Sequence, residues 1–387
     1  MNNIIYHEII PNNLQQSYTE FQNVDFDLSF PNRKINLGSV RLEGELEVTY
    51  DSEFLNSAVQ KDPDGTAGGE IFKKDIKMDG MVGGHSLFES ITTTINSPDK
   101  GKNVIENLNE YPRYVKMANS ASSSRDDQLN SNNMCELKAS FDRYTTNLLQ
   151  GVFPKADTTP SARLNPDFSV RPLFCLNSGS GALSYNKSGD IQVSVTLGRV
   201  FSVLFGNDCN SKVKYAIRDL RLRFTSSPED GNDDQIVMKT KLNIKSSIQS
   251  SFSNIQVRVP AVCSAVTVSF QNQIDENTGA NNNYALQSVP NLKQTQFLFN
   301  DSTNTLISYL IRSVSEVQDR AIDSMLDTGR NNLSTQNLAN NNGFLAGIDF
   351  GSLIDLSDTK FSLQLSSGIS SNSPMIAYMY FHSLVEM

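Results

Sequence analysis

The side chains best suited to proton transfer near neutral pH are scarce in this chain. Its three histidines, His7, His85 and His382, lie far apart in sequence, and histidine is the side chain whose ordinary pKa suits that task. His85 precedes Ser86 in the run GGHS. Neighbouring residues on a strand point to opposite faces, so the two do not read as base and nucleophile. The patterns G-x-S-x-G, G-x-x-x-x-G-K-[ST] and H-E-x-x-H are absent. Four cysteines, Cys135, Cys175, Cys209 and Cys263, are widely spaced with no C-x-x-C. That spacing argues against a zinc knuckle or a disulfide framework and leaves them as reduced, buried, small apolar residues.

Hard cations need several oxygen ligands gathered by a sharp turn. In DPDGTAGGE, Asp62 and Asp64 open such a loop, but Thr66 and Ala67 stand where an EF-hand needs a third ligand and its glycine. Asp230, Asp233 and Asp234, in EDGNDD, span too short a stretch. Both read as solvated turns. No catalytic, cofactor-binding or metal-ligating residue is assigned, no cofactor is expected, and an enzyme is not expected.

Charge narrows the partners. With 33 Lys+Arg against 42 Asp+Glu the formal charge is −9, which excludes a general packager of nucleic acid because phosphate binding needs a basic surface. Two strands nonetheless carry basic outer faces: Lys239, Lys241 and Lys245 on one, Arg221 and Arg223 on the other. They read as edge protection or as contacts to an acidic neighbouring protein, and no aromatic interleaving supports base stacking. The sequons at Asn186, Asn300 and Asn332 are expected by chance in a chain with 40 Asn. No apolar window reaches the ~18 residues of a membrane span, and the start carries no signal-like basic and apolar pair. A membrane span and classical secretion are therefore not expected.

The elements that must position these residues are mostly strands. Apolar residues recur at every second position, the spacing of a sheet with one buried and one wet face. Val24, Phe26, Leu28 and Phe30 show it, as do Leu42, Leu46, Val48 and Tyr50 against Arg41, Glu43, Glu45 and Glu47. So do Ile191, Val193, Val195 and Leu197, and Phe361, Leu363 and Leu365. The parity slips between Ile217 and Leu220 and again across Pro260, which predicts a bulge or a strand crossing between sheets. Steps of three and four predict two amphipathic helices. One carries Met134, Leu137, Phe141, Tyr144 and Leu148. The other runs over 304–327 with Leu310, Val314, Val317, Ala321 and Met325 on its stripe and Gly329 as its stop. Polar stretches at 51–69, 119–133, 226–234, 271–283 and 331–342 read as loops. The third of these is the expected boundary, giving a domain at 1–226 and a second β-rich domain or insertion at 227–387.

The segment GGHSLFESITTTINS, with His85, Ser86, Leu87, Phe88, Ile91 and Ile95, leads into GKNVIENLNEYPRY, with Gly101, Lys102, Tyr111 and Pro112. It resembles the stretch of adenovirus-like and virophage capsid jelly rolls in which a His-Ser-Leu-Phe strand entry precedes a Tyr-Pro element. The block DIQVSVTLGRVFSVLFGN followed by KVKYAIRDLRLRF is similar to the closing strands of such a domain. The length, the Asn content and the final strand PMIAYMYFHSLVEM look most like the penton, the pentameric vertex protein, of Sputnik-type virophages. The resemblance implies a mainly β fold: a jelly-roll β-sandwich with an additional β-rich domain and two amphipathic helices. It further implies a structural role in the virion, a homopentamer at five-fold vertices, and the major capsid protein of the same particle as partner. A double jelly-roll major capsid protein with trimeric capsomers ranks second, because about sixteen strands crowd this length and the helix at 304–327 fits a second jelly roll poorly. A receptor- or glycan-binding spike is the reading from another class, with Tyr284 among the few loop aromatics.

Overall fold

The computed structural model describes residues 3–49, 59–61, 70–72, 78–98, 101–122, 167–206 and most of 209–387, the exceptions there being 210, 212, 230, 232–234, 260, 277, 301–304, 329, 331 and 358. The helix expected around Met134 to Leu148, Cys135, and the acidic loop at Asp62 and Asp64 lie outside the described residues, as do Asp230, Asp233 and Asp234.

The chain runs through β1 (Ile5–Ile9), β2 (Asn23–Leu28), β3 (Arg33–Asn36), β4 (Arg41–Thr49), β5 (Val59–Lys61), β6 (Glu70–Phe72), β7 (Phe88–Ser97) and β8 (Gly101–Leu108) to helix α1 (Tyr111–Ser122). Then come β9 (Asp167–Val170), α2 (Cys175–Ser178), β10 (Ala182–Ser184), α3 (Tyr185–Ser188), β11 (Asp190–Leu197), α4 (Val200–Val203) and the long β12 (Lys214–Pro228). Beyond it lie β13 (Val237–Ile248), β14 (Phe252–Arg258), β15 (Val262–Asn272), β16 (Gln294–Asn300) and β17 (Thr305–Ile311). Helices α5 (Val314–Ser324) and α6 (Thr335–Asn340) precede the closing strands β18 (Leu345–Asp355), β19 (Lys360–Ser366) and β20 (Met375–Glu386).

Three sheets build the body. A six-stranded sheet has the order β10-β3-β12-β4-β9, with β1 also on β12. An eight-stranded sheet runs β18-β15-β20-β13-β8-β7-β11-β2, and a four-stranded sheet runs β14-β19-β16-β17. The alternating segments found in the sequence supply the inner faces: Val24, Phe26, Leu28, Leu42, Leu46, Val48, Phe88, Ile191, Val193, Val195 and Leu197 share one apolar core. It fills a first sandwich between the six-stranded sheet and the β8-β7-β11-β2 half of the long sheet. A second core, with Phe297, Phe299, Phe361, Leu363, Leu365 and Phe381, lies between the other half and the four-stranded sheet. The long sheet therefore belongs to both sandwiches. Its halves meet where β8 and β13 run parallel, at the single pairing Leu242↔Asn107.

Both parity slips have a structural cause. The register of β12 on β4 shifts between Arg218 and Arg221, and Asp219 sits there in the left-handed region at φ 48°, a bulge that returns Leu220, Leu222 and Phe224 to the core. Pro260 lies outside the described residues; on either side of it β14 ends at Arg258 and β15 begins at Val262, and these strands lie in different sheets.

The helix expected over 304–327 is corrected. Residues 305–311 form β17, which completes the four-stranded sheet, and the helix begins only at Val314. Ser313 caps it by accepting a hydrogen bond from the Glu316 amide at 3.2 Å. Leu310 and Val314 are 40% and 47% exposed, whereas Val317, Ala321 and Met325 are buried. This helix packs on β18 and β15 so closely that Gly347 has no room for a side chain: a Cβ there would run into Ser324 Oγ and the Val266 carbonyl.

Two expected loops also contain helices. Residues 119–122 are the last turn of α1, and α6 occupies 335–340, capped by Ser334, which accepts from Asn337 N at 3.1 Å.

Candidate functional site

The three histidines do not converge. His7, on β1, stacks on Phe224 at 4.5 Å and hydrogen-bonds with Ser226 Oγ at 2.7 Å. His85 is buried and hydrogen-bonds with the Tyr111 hydroxyl. His382, on β20, reaches Thr267 Oγ1 at 3.0 Å. The expected strand at His85 and Ser86 is a 3-10 turn, Gly83–Leu87, in which Ser86 Oγ donates to the Gly83 carbonyl. The pair is thus kept apart by the turn rather than by strand alternation.

Cys175, Cys209 and Cys263 are free and buried. Burial pushes the Cys209 and Cys263 thiols up to about 12 and raises that of Cys175 well above its ordinary value, which removes thiolate chemistry. Among the described residues no group of three or more His, Cys, Asp or Glu could hold a metal ion, and no helix is long and apolar enough to cross a membrane.

Of the two basic faces, the arginine face lies outward as expected, with Arg221 40% and Arg223 49% exposed, and Lys241 on the other face is a correction. Strands β4 and β12 are neighbours, so their acids and arginines neutralise one another within the chain: Arg218 pairs with Glu47 at 2.6 Å and Arg223 with Glu43 at 2.8 Å. Glu8 of β1 takes Arg221 at 2.6 Å and Arg223 at 2.8 Å. Lys241 is 3% exposed and belongs to the interior. Tyr284, weighed as a loop aromatic for ligand contact, is 3% exposed.

The unusual chemistry is instead gathered along the seam where the sandwiches meet, around α1. Pro112 suits the first turn of this helix, where no intrahelical donor is needed. Nearly every side chain from Tyr111 to Ala121 is buried, because the helix is covered on all sides. Three polar clamps tie it and its neighbours across the seam. In the first, buried Asp79 accepts from Met81 N at 2.8 Å, from Lys116 Nζ at 2.8 Å and from Asn282 Nδ2 at 2.6 Å. Burial pushes the Asp79 carboxyl up, but the Lys116 ammonium and these hydrogen bonds outweigh it and hold the group below its ordinary value.

In the second clamp, Glu106 of β8 accepts from the Cys175 amide at 2.7 Å and from the Lys241 amide of β13 at 2.8 Å. Burial raises its carboxyl despite the nearby Lys241 ammonium. In the third, Arg113 is 1% exposed. It donates to Gln271 Oε1 and the Asn283 carbonyl, and to the Ala285 carbonyl at 3.4 Å. Its guanidinium lies 3.8 Å from the centre of the Tyr378 ring. Sequence reasoning missed this cluster because its members come from segments some 160 to 200 residues apart: Asp79 with Asn282, Arg113 with Gln271.

No protein-family model and no curated protein sequence matches the chain. Its fold is nevertheless shared with solved structures. The Faustovirus major capsid protein superposes with a TM-score of 0.60 at 9% identity, covering 100% of this chain and 90% of that one. A chain of the Sputnik virophage structure gives 0.54 at 10% identity, with 99% and 85% covered. The mavirus major capsid protein gives 0.51 at 10% identity, with 98% and 86% covered. The chain has the jelly-roll fold of viral capsid proteins.

Proposed function

We propose that this chain is a structural protein of an icosahedral virion, the major capsid protein, working as a trimeric capsomer. The observation that carries this reading is the complete second sandwich. The sequence ranks the vertex penton first because a helix over 304–327 leaves too few strands for a second jelly roll, and residues 305–311 are a strand of that sandwich. The strands up to Pro228 and those from Val237 onward each contribute one half of the long sheet and a sheet of their own. Three copies, each presenting two similar sandwiches, place six similar units around one axis, a shape that fits positions with six neighbours. A chain with one sandwich needs six copies to place as many units around one axis. Its partners on this reading are copies of itself and, at the vertices, a separate penton. The structural role also accounts for histidines and thiols that are locked into packing.

The test is the position of the chain in purified particles and its native mass in solution. Density at positions with three-fold capsomers, or a trimer of 42.9 kDa chains, supports the reading. Density on the five-fold axes, or a pentamer, transfers the chain to the vertex. Absence from particles ends the capsid assignment.

A further inference from the structure

One part of the seam is a small polar chamber whose lining is incompletely satisfied. Glu89 enters it from β7, Glu110 and Arg113 from the start of α1, Arg199 from the turn before α4, Lys245 from β13 and Gln271 from β15. Four enclosed polar atoms here have no hydrogen-bond partner: Glu89 Oε2, Arg113 Nε, Gln271 Nε2 and Tyr284 Oη. Glu110, the second carboxylate of the chamber, is held with its backbone in the left-handed region at φ 52°, and its carbonyl accepts from Tyr380 Oη at 2.8 Å. A carboxylate oxygen shut away from water without a donor loses its hydration and gains nothing in return. A second carboxylate in the same enclosure adds repulsion.

Two cations of the chamber are engaged mainly by its own lining. The terminal nitrogens of Arg113 go to Gln271 and two carbonyls, and Lys245 pairs with Glu276 and, at 3.4 Å, with Glu110. Arg199 lies over the Phe21 ring at 5.6 Å. Glu276 and Tyr378 also line the chamber, and around it stand the hydroxyls of Tyr215 of β12, which also feels Glu20, Tyr284 from the loop after β15, and Tyr380 of β20.

We propose that this chamber is a proton-binding site built into the seam: Glu89 is held there as the neutral acid in mildly acidic solution, and loss of its proton loosens the contact between the two halves of the chain. Burial, and after it the charge of Glu110, pushes the Glu89 carboxyl up to about 7, against the pull of Arg199, Arg113 and Lys245. The native state then holds the proton more tightly than the unfolded chain. The stabilisation is complete below the ordinary value of 4.5 and is lost as pH rises through about 7.

Urea unfolding of the full chain and of Glu89→Gln, at pH 5 and pH 8.5, tests this. The amide mimics the neutral acid, so the two proteins are expected to match at pH 5. On going to pH 8.5 the unfolding constant of the parent is expected to rise roughly one hundredfold more than that of the variant. Equal pH dependence in the two overturns the proposal. If Glu89→Gln does not fold, Glu110→Gln decides: removing the neighbouring charge must move the alkaline transition to lower pH, and an unmoved transition overturns the proposal.

Discussion

The core of the second sandwich and the seam beside it share one sheet but are held together by different physics. In the core, Phe299 meets Phe350 edge-on at 4.8 Å and Phe361 at 5.3 Å, and Phe361 meets Phe381 at 5.0 Å. In the seam, a helix is fastened by Asp79 with Lys116 and by Arg113 on carbonyls and a tyrosine ring, while Glu106 on two backbone amides ties β8 to its neighbours. Apolar burial gives strength that barely depends on direction. Buried charge contributes less net strength but penalises every arrangement that leaves a partner unmatched. The sandwiches are thus stabilised one way and oriented relative to each other another way.

The contrast is broken most severely at Phe361, which touches Phe297, Phe299 and Phe381. Phe361→Ala is expected to lower unfolding stability by about 3–5 kcal/mol, read from denaturant midpoints. The loss should be the same at pH 5 and pH 8, since no ionisable group takes part. A pH-dependent loss would mean that the core and the seam are not separate.

Asp79→Ala tests the seam and is expected to cost about 3 kcal/mol, because Lys116 is left beside a vacancy in a largely buried position. Here the sign of the pH effect is opposite to that of Glu89. A carboxyl held below its ordinary 3.8 contributes stability that is present above that value and lost as pH falls. The gap between parent and Asp79→Ala should therefore close in strong acid, and a gap that stays constant down to pH 2 would remove Asp79 from the seam's charge balance.

The smallest effect belongs to the outer ladder. Arg223 is 49% exposed where it meets Glu8, and exposed pairs are screened by water and salt. Arg223→Ala should leave the midpoint unchanged within error, and any shift should shrink in high salt. A large shift would give the outer face a role in holding β1, β4 and β12 together.

Much of the sheet structure was legible because strand alternation is local. The buried rows at Val24 to Phe30 and Ile191 to Leu197, the bulge beyond Arg218 and the crossing between β14 and β15 all follow from parity. The helix over 304–327 failed because Leu310, Val314 and Val317 keep helical spacing across a strand, a break and a helix. The Ser-x-x-Glu of Ser313 and Glu316 is the capping signal that marks the true start. Helix α1 was missed for the reverse reason. A helix buried all round has no polar face to set a period, and only Pro112 in its first turn hints at it. The clamps were illegible altogether, since nothing near Asp79 in sequence announces Asn282. The chemistry-poor reading of the histidines came from their scatter, and each is engaged locally.

The pairing Leu242↔Asn107 also has a mechanical meaning. Strands β13 and β20 are laced through twelve paired residues, from Val237 with Glu386 to Ile248 with Met375. By comparison β8 and β13 are joined like two stiff plates welded at one spot. Bending and shear between the plates cannot travel through a ladder of backbone bonds there. They pass into α1 and the side chains around it, so the angle at which the plates stand is set by two polar clamps on a single buried helix and a third, at Glu106, between the strands beside it.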